Sequence, residues 1–462
     1  MRLLRKHPQR LPAGFLLFYT EVFYRQRSAE FLYNLTKNLT AHLPHNICAV
    51  LPKGIFYEQA FGSIALKWLW KLISATDKKT AAIKKGINMI YNLTAPCHFG
   101  LEKTLSFELK RAGGENIRAT DGRLFFSGDE AVIAKANITS SVAERIGIVL
   151  GEFSANTFDE VFDAVKNVPL EQFAGKDDAF PIVKGHSLNS KLTSIPALQR
   201  TIKKALVLRM QEKYKTSELP ESGALFPIHF LLSKDRLLLT LDTSGDGLHK
   251  RGYRAKSNAA PIKETLAAGI IDLARVRDTD SVVDPFCGSG TILIEAAMKA
   301  LRIAPGMNRN FTAAGWGCFS KSVWDAAFQE ARAAVRKNPD FLVRGFDIDG
   351  GAVELTKSNA WKAGVDGNVS VQRRSIADFK YPASPVKIIT NPPYGERLLE
   401  KNETADIYRT MGKVLLPLGE NELFVISGNE TFETDFGAKA QKNRKLYNGM
   451  MMCRLFSFTS GK

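Results

Sequence analysis

Short apolar runs separated by polar turns predict an open α/β sheet in the C-terminal half of the chain. Four β-branched or aromatic runs have the length of buried strands: residues 281–284, 341–346, 369–371 and 386–390. A helix is predicted at 292–301, shortly after the first run. Because ligands of open α/β sheets bind at the carboxyl ends of the strands, the residues that follow each run are the candidate site.

The pattern from Met89 to about Tyr253 is a mixed α+β arrangement. Apolar runs predict strands near 90–95, 123–126, 180–185, 225–232 and 236–241. Apolar residues at helical spacing predict helices at 101–109, 130–147, 157–166 and 199–206. The predicted domains are therefore residues 89–250, an α+β region, and residues 251–462, an α/β domain.

Residues 1–88 carry no recognisable motif. They combine aromatic and basic residues in loosely helical spacing, with 14 Lys and Arg against 4 Asp and Glu. A strand is predicted directly after Met89, which favours this methionine as the native start or the first 88 residues as an extension of unknown role. We assign them no chemistry.

Composition and charge limit the classes of molecule that the protein is expected to bind. The 462 residues carry a formal charge of +17, which favours nucleic acid over a membrane as partner, although residues 1–88 contribute more than half of it. No apolar run is long enough for a transmembrane helix, so no membrane partner is expected. The five cysteines are widely spaced without a C-x-x-C pair, which predicts reduced thiols in a cytoplasmic protein and no metal site.

The run at 386–390 leads into Asn391, Pro392, Pro393 and Tyr394. The two prolines remove two backbone donors and fix φ, so the carbonyl groups of Asn391 and Pro392 are acceptors held in place. The asparagine side chain adds an acceptor, so Asn391 is a candidate both for catalysis and for cofactor binding, and Tyr394 adds a flat face. Acceptors beside an aromatic plane suit a planar heterocycle with an exocyclic amine. An ordinary strand-to-loop turn, with Tyr394 packed on the sheet, is the alternative.

The run at 281–284 ends in Asp284 and leads into a glycine-bearing turn made of Pro285, Phe286, Cys287, Gly288, Ser289, Gly290 and Thr291. Glycines let a backbone approach a ligand closely, and an acid at a strand end accepts hydrogen bonds from ligand donors. A phosphate-binding loop would need a Lys after Gly290, and a dinucleotide site would need a third glycine where Leu293 stands. The turn therefore predicts a nucleoside ligand without phosphates.

Two further strand ends carry acids that fit a nucleoside. Asp347, followed by Ile348, ends the second run and can accept both ribose hydroxyls, with Asp349 as second choice. After the third run, Asp378 can accept from an adenine amine and Phe379 can pack on the ring. Each aspartate alone is more typical of a helix N-cap, but the spacing of all four strand ends favours the ligand.

Small hydroxyls and lysines surround a basic helix in the first domain. The candidates for holding phosphates are Lys184, Ser190, Lys191, Lys203 and Lys204. They would act through point charges and helix N-terminal donors. A solvated helix face explains the same charges without a ligand.

Three stretches of the chain resemble known families. Residues 184–192 with the helix at 199–205 resemble the core of a THUMP domain, a module of RNA-modifying enzymes. Residues 248–254 and 260–267 resemble the start of the catalytic domain in THUMP-linked guanine-N2 methyltransferases of bacterial 23S rRNA. The turn D-P-F-C-G-S-G-T resembles the methionine-binding loop of S-adenosylmethionine (SAM) methyltransferases.

The resemblance implies a fold and an activity. The fold would be a Rossmann-like class I methyltransferase domain with a mostly parallel seven-stranded sheet, preceded by a ferredoxin-like plus THUMP region that binds RNA. The activity would be methyl transfer from SAM to the N2 amine of a guanosine in 23S rRNA, at a single site and without a metal. Tyr394 would stack on the target base, while phosphates would be contacted by Lys250, Arg251, Arg254 and Arg397.

Three other activities remain open on the sequence alone. Other THUMP enzymes modify tRNA. N-P-P-Y serves an adenine N6 amine in DNA equally well, although the THUMP-like half argues against DNA. The third is a catalytically silent RNA-binding factor, against which the intact Asn391, Gly288 and Gly290 count. The oligomeric state has no signal in the sequence.

Overall fold

The computed structural model describes residues 89–254, 262–393, 401–449 and 451–459. Asn88–Lys462 forms one compact unit. The predictions for residues 1–88, Tyr394 and Arg397 fall outside the described residues.

Seven strands form the N-terminal sheet in the order β2-β3-β1-β4-β7-β6-β5. They are β1 Tyr91–Pro96, β2 Glu115–Thr120, β3 Arg123–Gly128, β4 Gly147–Ser154, β5 Ile182–Leu188, β6 Ile228–Ser233 and β7 Arg236–Asp242. Neighbours are antiparallel except β5 and β6, which run parallel. Ile148 of β4 pairs with Leu93 of β1 on one side and with Leu241 of β7 on the other. The ferredoxin-like and THUMP-like parts therefore share one continuous sheet.

The helices described in this region are α1 Glu102–Arg111, α2 Glu130–Thr139, α3 Phe158–Lys166 and α4 Ile195–Tyr214. Ile202 and Leu206 of α4 are fully buried, as expected for an amphipathic helix that covers a sheet. The helix predicted at 199–206 is thus the middle of a longer one. No helix among the described residues combines the length and the apolar character needed to cross a membrane.

The two faces of the THUMP-like strands differ in exposure. Along β6, buried Phe230 alternates with half-buried His229 and Leu231. His229 pairs with Lys184 of β5 and Leu231 pairs with His186, and both partners are exposed. Because paired residues point to the same side of a sheet, these four side chains lie on one face, opposite the face that buries Phe230.

The helix predicted at 130–147 ends at Thr139, and Gly147–Ser154 forms β4 instead. The Ser140 hydroxyl donates to the Glu108 carboxylate at 2.6 Å, and the backbone N–H of Ser141 donates to it at 3.1 Å. Ser140 already has an extended backbone, so this turn stops the helix although the apolar pattern continues. β2 escaped prediction because it is an edge strand whose residues are mostly exposed.

The C-terminal sheet has the order β10-β9-β8-β11-β12-β14-β13. Its strands are β8 Val282–Asp284, β9 Val343–Asp347, β10 Val369–Arg373, β11 Lys387–Thr390, β12 Glu422–Ser427, β13 Lys442–Asn448 and β14 Met451–Thr459. β8 to β12 run parallel, and β14 is antiparallel to both of its neighbours. The helices described here are α5 Glu264–Leu273, α6 Thr291–Ala300, α7 Lys321–Ala333, α8 Gly350–Ala363, α9 Lys401–Leu415 and α10 Phe432–Phe436. The predicted fold class, a Rossmann-like domain with a mostly parallel seven-stranded sheet behind an α+β region, is confirmed.

The central strands end at one edge of this sheet. In register, Asp284 of β8 lies opposite Gly345 of β9, and Val283 of β8 lies opposite Ile388 of β11. The loops that follow β8, β9 and β11 therefore leave the sheet on the same side. Gly288 and Asn391 share that edge, as the sequence predicts.

Candidate functional site

The glycine turn after β8 is held from behind by α8. The Thr356 hydroxyl donates to the Gly288 carbonyl at 2.8 Å, and the Asn359 amide donates to the Ser289 carbonyl at 3.0 Å. Gly288 has φ +52° and a Cβ placed there would meet nothing within 4 Å, whereas one on Gly290 would strike Thr356. The turn therefore presents a bare, left-handed backbone toward open space, which is the shape needed for a closely approaching ligand.

Asp284 lies beneath this turn and is buried. Its Oδ1 accepts from the backbone N–H of Phe286 at 3.0 Å and from the Thr390 hydroxyl at 2.7 Å. Burial raises the pKa of Asp284 to about 7, the two hydrogen bonds oppose the rise, and the charge of Asp347 adds to it. The carboxyl group thus joins the turn to the last residue of β11. Pro285 and Thr291, also predicted for the cofactor, are buried in the same turn.

Asp347 ends β9 beside the turn. Its Oδ2 accepts from the backbone N–H of Gly288 at 2.9 Å and its Oδ1 accepts from the N–H of Asp349 at 3.0 Å. Each carboxylate oxygen keeps a further lone pair for a ligand hydroxyl. Asp349 instead caps α8, because its Oδ1 accepts from the N–H of Gly351 at 2.8 Å. The helix-cap alternative therefore applies to Asp349 and not to Asp347.

Apolar and polar groups for a heterocycle lie near these loops. Ile348, directly after Asp347, is 68% exposed, which is unusual for an isoleucine. Asp378 is exposed and ends a short 3₁₀ helix whose N-cap is Ser375, so it is not a cap itself. Phe379 is buried and packs edge to face with Phe346, with ring centroids 6.4 Å apart. Phe379 therefore belongs to the core, whereas Ile348 and Asp378 are exposed.

Asn391 carries an unsatisfied acceptor. Its Oδ1 is buried and has no hydrogen-bond partner among the described residues. Two residues later in the loop, the Pro393 carbonyl accepts from the hydroxyl of Tyr408 at 3.0 Å. Tyr408 is fully buried and also contacts the Ser427 hydroxyl at 3.1 Å. The loop backbone is thus fixed by α9, while the Asn391 oxygen is left for a donor that the described residues do not supply.

Several supporting residues escaped the sequence reasoning. Thr390 stands as a single hydroxyl at the end of an apolar strand, and Thr356 and Asn359 are fully buried polar residues three apart on α8. Buried polar groups need hydrogen-bond partners, so polar residues on the apolar side of a predicted helix or strand indicate a supporting role. Tyr408 offered none, because an aromatic residue within a helical pattern is typical of any core.

The five predicted phosphate contacts of the first domain differ in availability. Lys184, Lys191 and Lys204 are exposed, and Lys191 reaches Asn156 at 3.1 Å. Ser190 holds its own turn, accepting from the N–H of Asp235 at 3.1 Å. Lys203 is half-buried, pairs with Glu221 and lies 3.7 Å from the centre of the Phe180 ring. Its charge is therefore engaged within the chain.

The structure contradicts the phosphate contact predicted for Arg251. Its side chain is 1% exposed, forms an ion pair with buried Glu295 of α6 at 3.4 Å and donates to the Ser141 carbonyl. The Tyr253 hydroxyl donates to Glu295 at 3.0 Å. Arg251 therefore ties the linker to α6 and to the first domain. The basic run in the sequence does not reveal which of its residues forms an ion pair with an acid 44 residues later.

Arg254 is also wrongly predicted as a surface contact. It is mostly buried, forms an ion pair with Glu264 at 2.8 Å and donates to the Thr291 hydroxyl at 3.2 Å. Lys250 is the exposed member of the basic stretch, with a 2.8 Å contact to Asp246. Of the basic linker residues that the structure describes, only Lys250 lies where RNA could touch it.

The arrangement fits SAM. A nucleoside with a methionine tail needs a bare backbone turn, a carboxylate for the ribose and an apolar surface for the adenine. Gly288 with its open space, Asp347 with free lone pairs and exposed Ile348 provide these at one sheet edge. The described residues hold no group of three or more His, Cys, Asp or Glu side chains placed to bind a metal ion.

Comparisons with known proteins agree with this geometry. Residues 251–457 match the RMKL-like methyltransferase domain, residues 92–147 match the RlmL ferredoxin-like domain and residues 155–242 match the THUMP domain. The chain is 38% identical to a Bacillus subtilis (strain 168) protein named "Putative RNA methyltransferase YpsC", over 80% of this chain and 96% of that one.

Two further comparisons bear on the substrate and the cofactor. The chain is 33% identical to "Ribosomal RNA large subunit methyltransferase K/L" of Syntrophotalea carbinolica, over 78% of this chain and 52% of that protein, so it spans about half of that relative. The solved structure of "SMU.472, a putative methyltransferase complexed with SAH" is 38% identical with a TM-score of 0.76, covering 81% of this chain and 100% of that one.

A class I fold with this glycine turn behind a THUMP domain defines a SAM-dependent methyltransferase. The chain belongs to the family of THUMP-linked RNA methyltransferases that carry the RMKL-like catalytic domain.

Proposed function

We propose that the chain methylates the exocyclic N2 amine of a guanosine in 23S rRNA. The observation that carries the proposal is the buried, unpartnered Oδ1 of Asn391, at the sheet edge that also holds the glycine turn. A buried acceptor without a donor costs about 1–3 kcal/mol, so a bound group is expected to satisfy it. An exocyclic amine supplies the missing N–H.

The chain would hold the cofactor with its strand-end loops. The turn from Pro285 to Thr291, with Phe286, Gly288 and Gly290, would lie along the methionine part. Asp347 would accept from the ribose hydroxyls, Ile348 would pack on the adenine above the Phe379 core, and Asp378 would accept from the adenine amine. When bound, SAM supplies an electrophilic methyl group.

The loop after β11 would orient the amine. A guanine N2 nitrogen is a poor nucleophile because its lone pair is delocalised into the ring. If Asn391 Oδ1 and the Pro392 carbonyl accept its two N–H groups, the nitrogen becomes pyramidal and its lone pair turns out of the ring plane. Tyr408 supports this by fixing the Pro393 carbonyl. Orientation of this kind lowers a barrier by roughly 7 kcal/mol or more. Tyr394 would stack on the flipped base.

The choice of RNA is supported by the family and by charge. The K/L relatives are named for large-subunit ribosomal RNA, and the THUMP match covers residues 155–242. Lys184, Lys191, Lys204 and Lys250 are exposed cations in the described part of the N-terminal region. Guanine-N2 in tRNA and adenine-N6 in DNA are the alternative targets, because an acceptor pair holds either amine equally well.

The test is methyl transfer from isotopically labelled SAM to protein-free 23S rRNA, tRNA and duplex DNA, with the modified nucleoside identified by mass spectrometry. N2-methylguanosine in 23S rRNA is the expected product. We expect Asn391→Ala to lower kcat by about 10²–10³, as loss of one precisely aimed polar group does.

Asn443→Ala, on the exposed part of β13, is the matched control and should behave like the wild type. Unchanged turnover in Asn391→Ala would overturn the assignment of the acceptor. N6-methyladenosine as the product would contradict the assignment of guanosine as the target.

A further inference from the structure

A cavity of about 250 Å³ lies on the face of the N-terminal sheet that carries Lys184, His186 and His229. Its lining includes Arg123, Glu144, Lys184, His186, His229 and Lys263. Lys184 and His229 are the cross-strand pair of β5 and β6, Arg123 begins β3, and Lys263 directly precedes α5. The cavity is therefore walled by the ferredoxin-like part, the THUMP-like part and the start of the methyltransferase domain together.

Two cations of this cavity have no acid to balance them. The Arg123 guanidinium is half-buried and its only described hydrogen bond goes to the Thr94 hydroxyl at 3.1 Å. Neither Arg123 nor Lys184 forms an ion pair with a carboxylate of the described residues. Burial lowers the pKa of Arg123. A partly buried guanidinium without a counter-charge is destabilising, and an anion bound between Arg123 and the exposed Lys184 would offset that cost.

The acids nearby are already engaged. Glu144 accepts from His98 at 3.1 Å and from Lys263 at 3.2 Å, and it also accepts from the Thr265 hydroxyl. Burial opposes ionisation of Glu144, but the nearby imidazoles of His249, at 3.7 Å, and His98, at 3.1 Å, outweigh it and hold the pKa of Glu144 below its usual value. The other acid, Asp242, is paired with Arg145 and lies 3.3 Å from His229. Neither carboxylate is left to neutralise Arg123 and Lys184.

The imidazoles complete a site for a polar anion. Burial, with smaller contributions from the charges of Lys184 and His229, lowers the pKa of His186. The exposed His186 ring carries two nitrogens that can exchange hydrogen bonds with a hydroxyl next to an anion. The cavity is too small for a duplex but has room beyond one phosphate.

We infer that this cavity binds a phosphodiester and its ribose from an unpaired segment of the RNA substrate. A guanidinium and an ammonium that share no acid are the pair that phosphate oxygens select. The inference rests on the proposed RNA methyltransferase function and adds a contact to the N-terminal region, separate from the strand-end loops that hold cofactor and base. Because Lys263 leads into α5, the bound phosphate also touches the catalytic domain and sets the register of the RNA against it.

The experiment measures binding of a fluorescent unstructured oligoribonucleotide to the full chain without SAM, by anisotropy. Arg123→Gln and Lys184→Gln are each expected to weaken binding about tenfold and to reduce the salt dependence by about one counterion. Lys110→Gln removes the same charge from an exposed position on α1 that does not line the cavity, and should leave affinity unchanged. In methylation assays the two cavity variants should raise KM for RNA while kcat at saturating RNA stays at the wild-type value.

Further measurements distinguish an RNA phosphodiester from a free phosphate ion, and failure of this inference from failure of the proposed function. A duplex RNA of equal length should show no loss in the cavity variants. If inorganic phosphate binds the wild type and is lost in Lys184→Gln while oligonucleotide affinity is unchanged, the cavity is a small-anion site and the inference is overturned. Wild-type RNA affinity in both variants also overturns it. Lys184 is exposed, so we expect Lys184→Gln to fold normally. If Arg123→Gln misfolds, Lys184→Gln alone still tests the inference. The proposed function is tested separately, by identifying the modified nucleoside. The inference about the cavity and the proposed function can therefore fail independently of each other.

Discussion

Thr390 Oγ1 donates a 2.7 Å hydrogen bond to Asp284 Oδ1, and both residues are buried. Thr390 is the last residue of β11, directly before Asn391, and Asp284 is the last residue of β8, directly before the glycine turn. The bond ties the strand end that bears the amine acceptor to the strand end that bears the cofactor turn. A shift of either loop therefore strains the other.

The buried Asp284 makes stability depend on pH. Burial raises its pKa to about 7 from an ordinary value of 3.8, so the folded state keeps a proton that the unfolded state has lost. Stability from this group is fully present below the unfolded pKa and is lost as pH rises through the folded pKa. Between about pH 5 and about pH 8 the loss is ~3 kcal/mol.

Asp284→Asn removes this titration while its amide oxygen can still accept from Phe286 and Thr390. Urea unfolding without SAM should show the variant gaining ~3 kcal/mol relative to the wild type from about pH 5 to about pH 8. A stability difference that stays constant over that range would show that Asp284 is ionised throughout.

Gly288→Ala should weaken SAM binding at least about tenfold, because its new methyl group would occupy the open space that the turn presents. Gly364→Ala is the matched control: Gly364 also has a left-handed φ, +71°, and open space, but caps the end of α8. Both variants should lose ~1–2 kcal/mol of stability from backbone strain. Calorimetric titration with SAM separates them, and equal affinities would remove Gly288 from the cofactor site.

Tyr408→Phe should lower kcat about three- to tenfold with SAM affinity unchanged, because the Pro393 carbonyl loses the hydroxyl that holds it. Tyr381→Phe deletes a comparable hydroxyl, which donates to the Leu415 carbonyl at 2.6 Å. Each should cost ~1 kcal/mol in urea unfolding. A drop in kcat shared by both variants would point to general loosening of the domain and not to positioning of the loop.

Arg251→Met should destabilise the protein by ~3–5 kcal/mol, because Glu295 would remain buried without its counter-charge. The double variant Arg251→Met, Glu295→Leu should recover much of that loss, as measured by urea unfolding. The double variant, when folded, should bind RNA with wild-type affinity. Weaker RNA binding at unchanged stability would restore Arg251 to the surface role that the sequence predicts.

Local chemistry made the loops at the sheet edge predictable. Glycines at 288 and 290, the prolines after Asn391 and the acid at 347 each act through their immediate neighbours, so strand-end positions could be predicted from short runs. Helix ends were predicted less well. α2 stops at Thr139 because Glu108, on another helix, captures the serines that follow it.

The sequence by itself determined the class of the C-terminal sheet and the candidate residues for the cofactor and the amine, and it predicted most of the strands around the sheet edge. Only the tertiary structure decided which charges remain available. Arg251 forms an ion pair with Glu295, and Arg254 forms one with Glu264. Arg123 and Lys184, far apart in the chain, line a cavity whose acid, Glu144, is already paired with Lys263. The reason is physical: a turn is fixed by adjacent residues, but the partner of a charge is fixed by packing between segments distant in sequence.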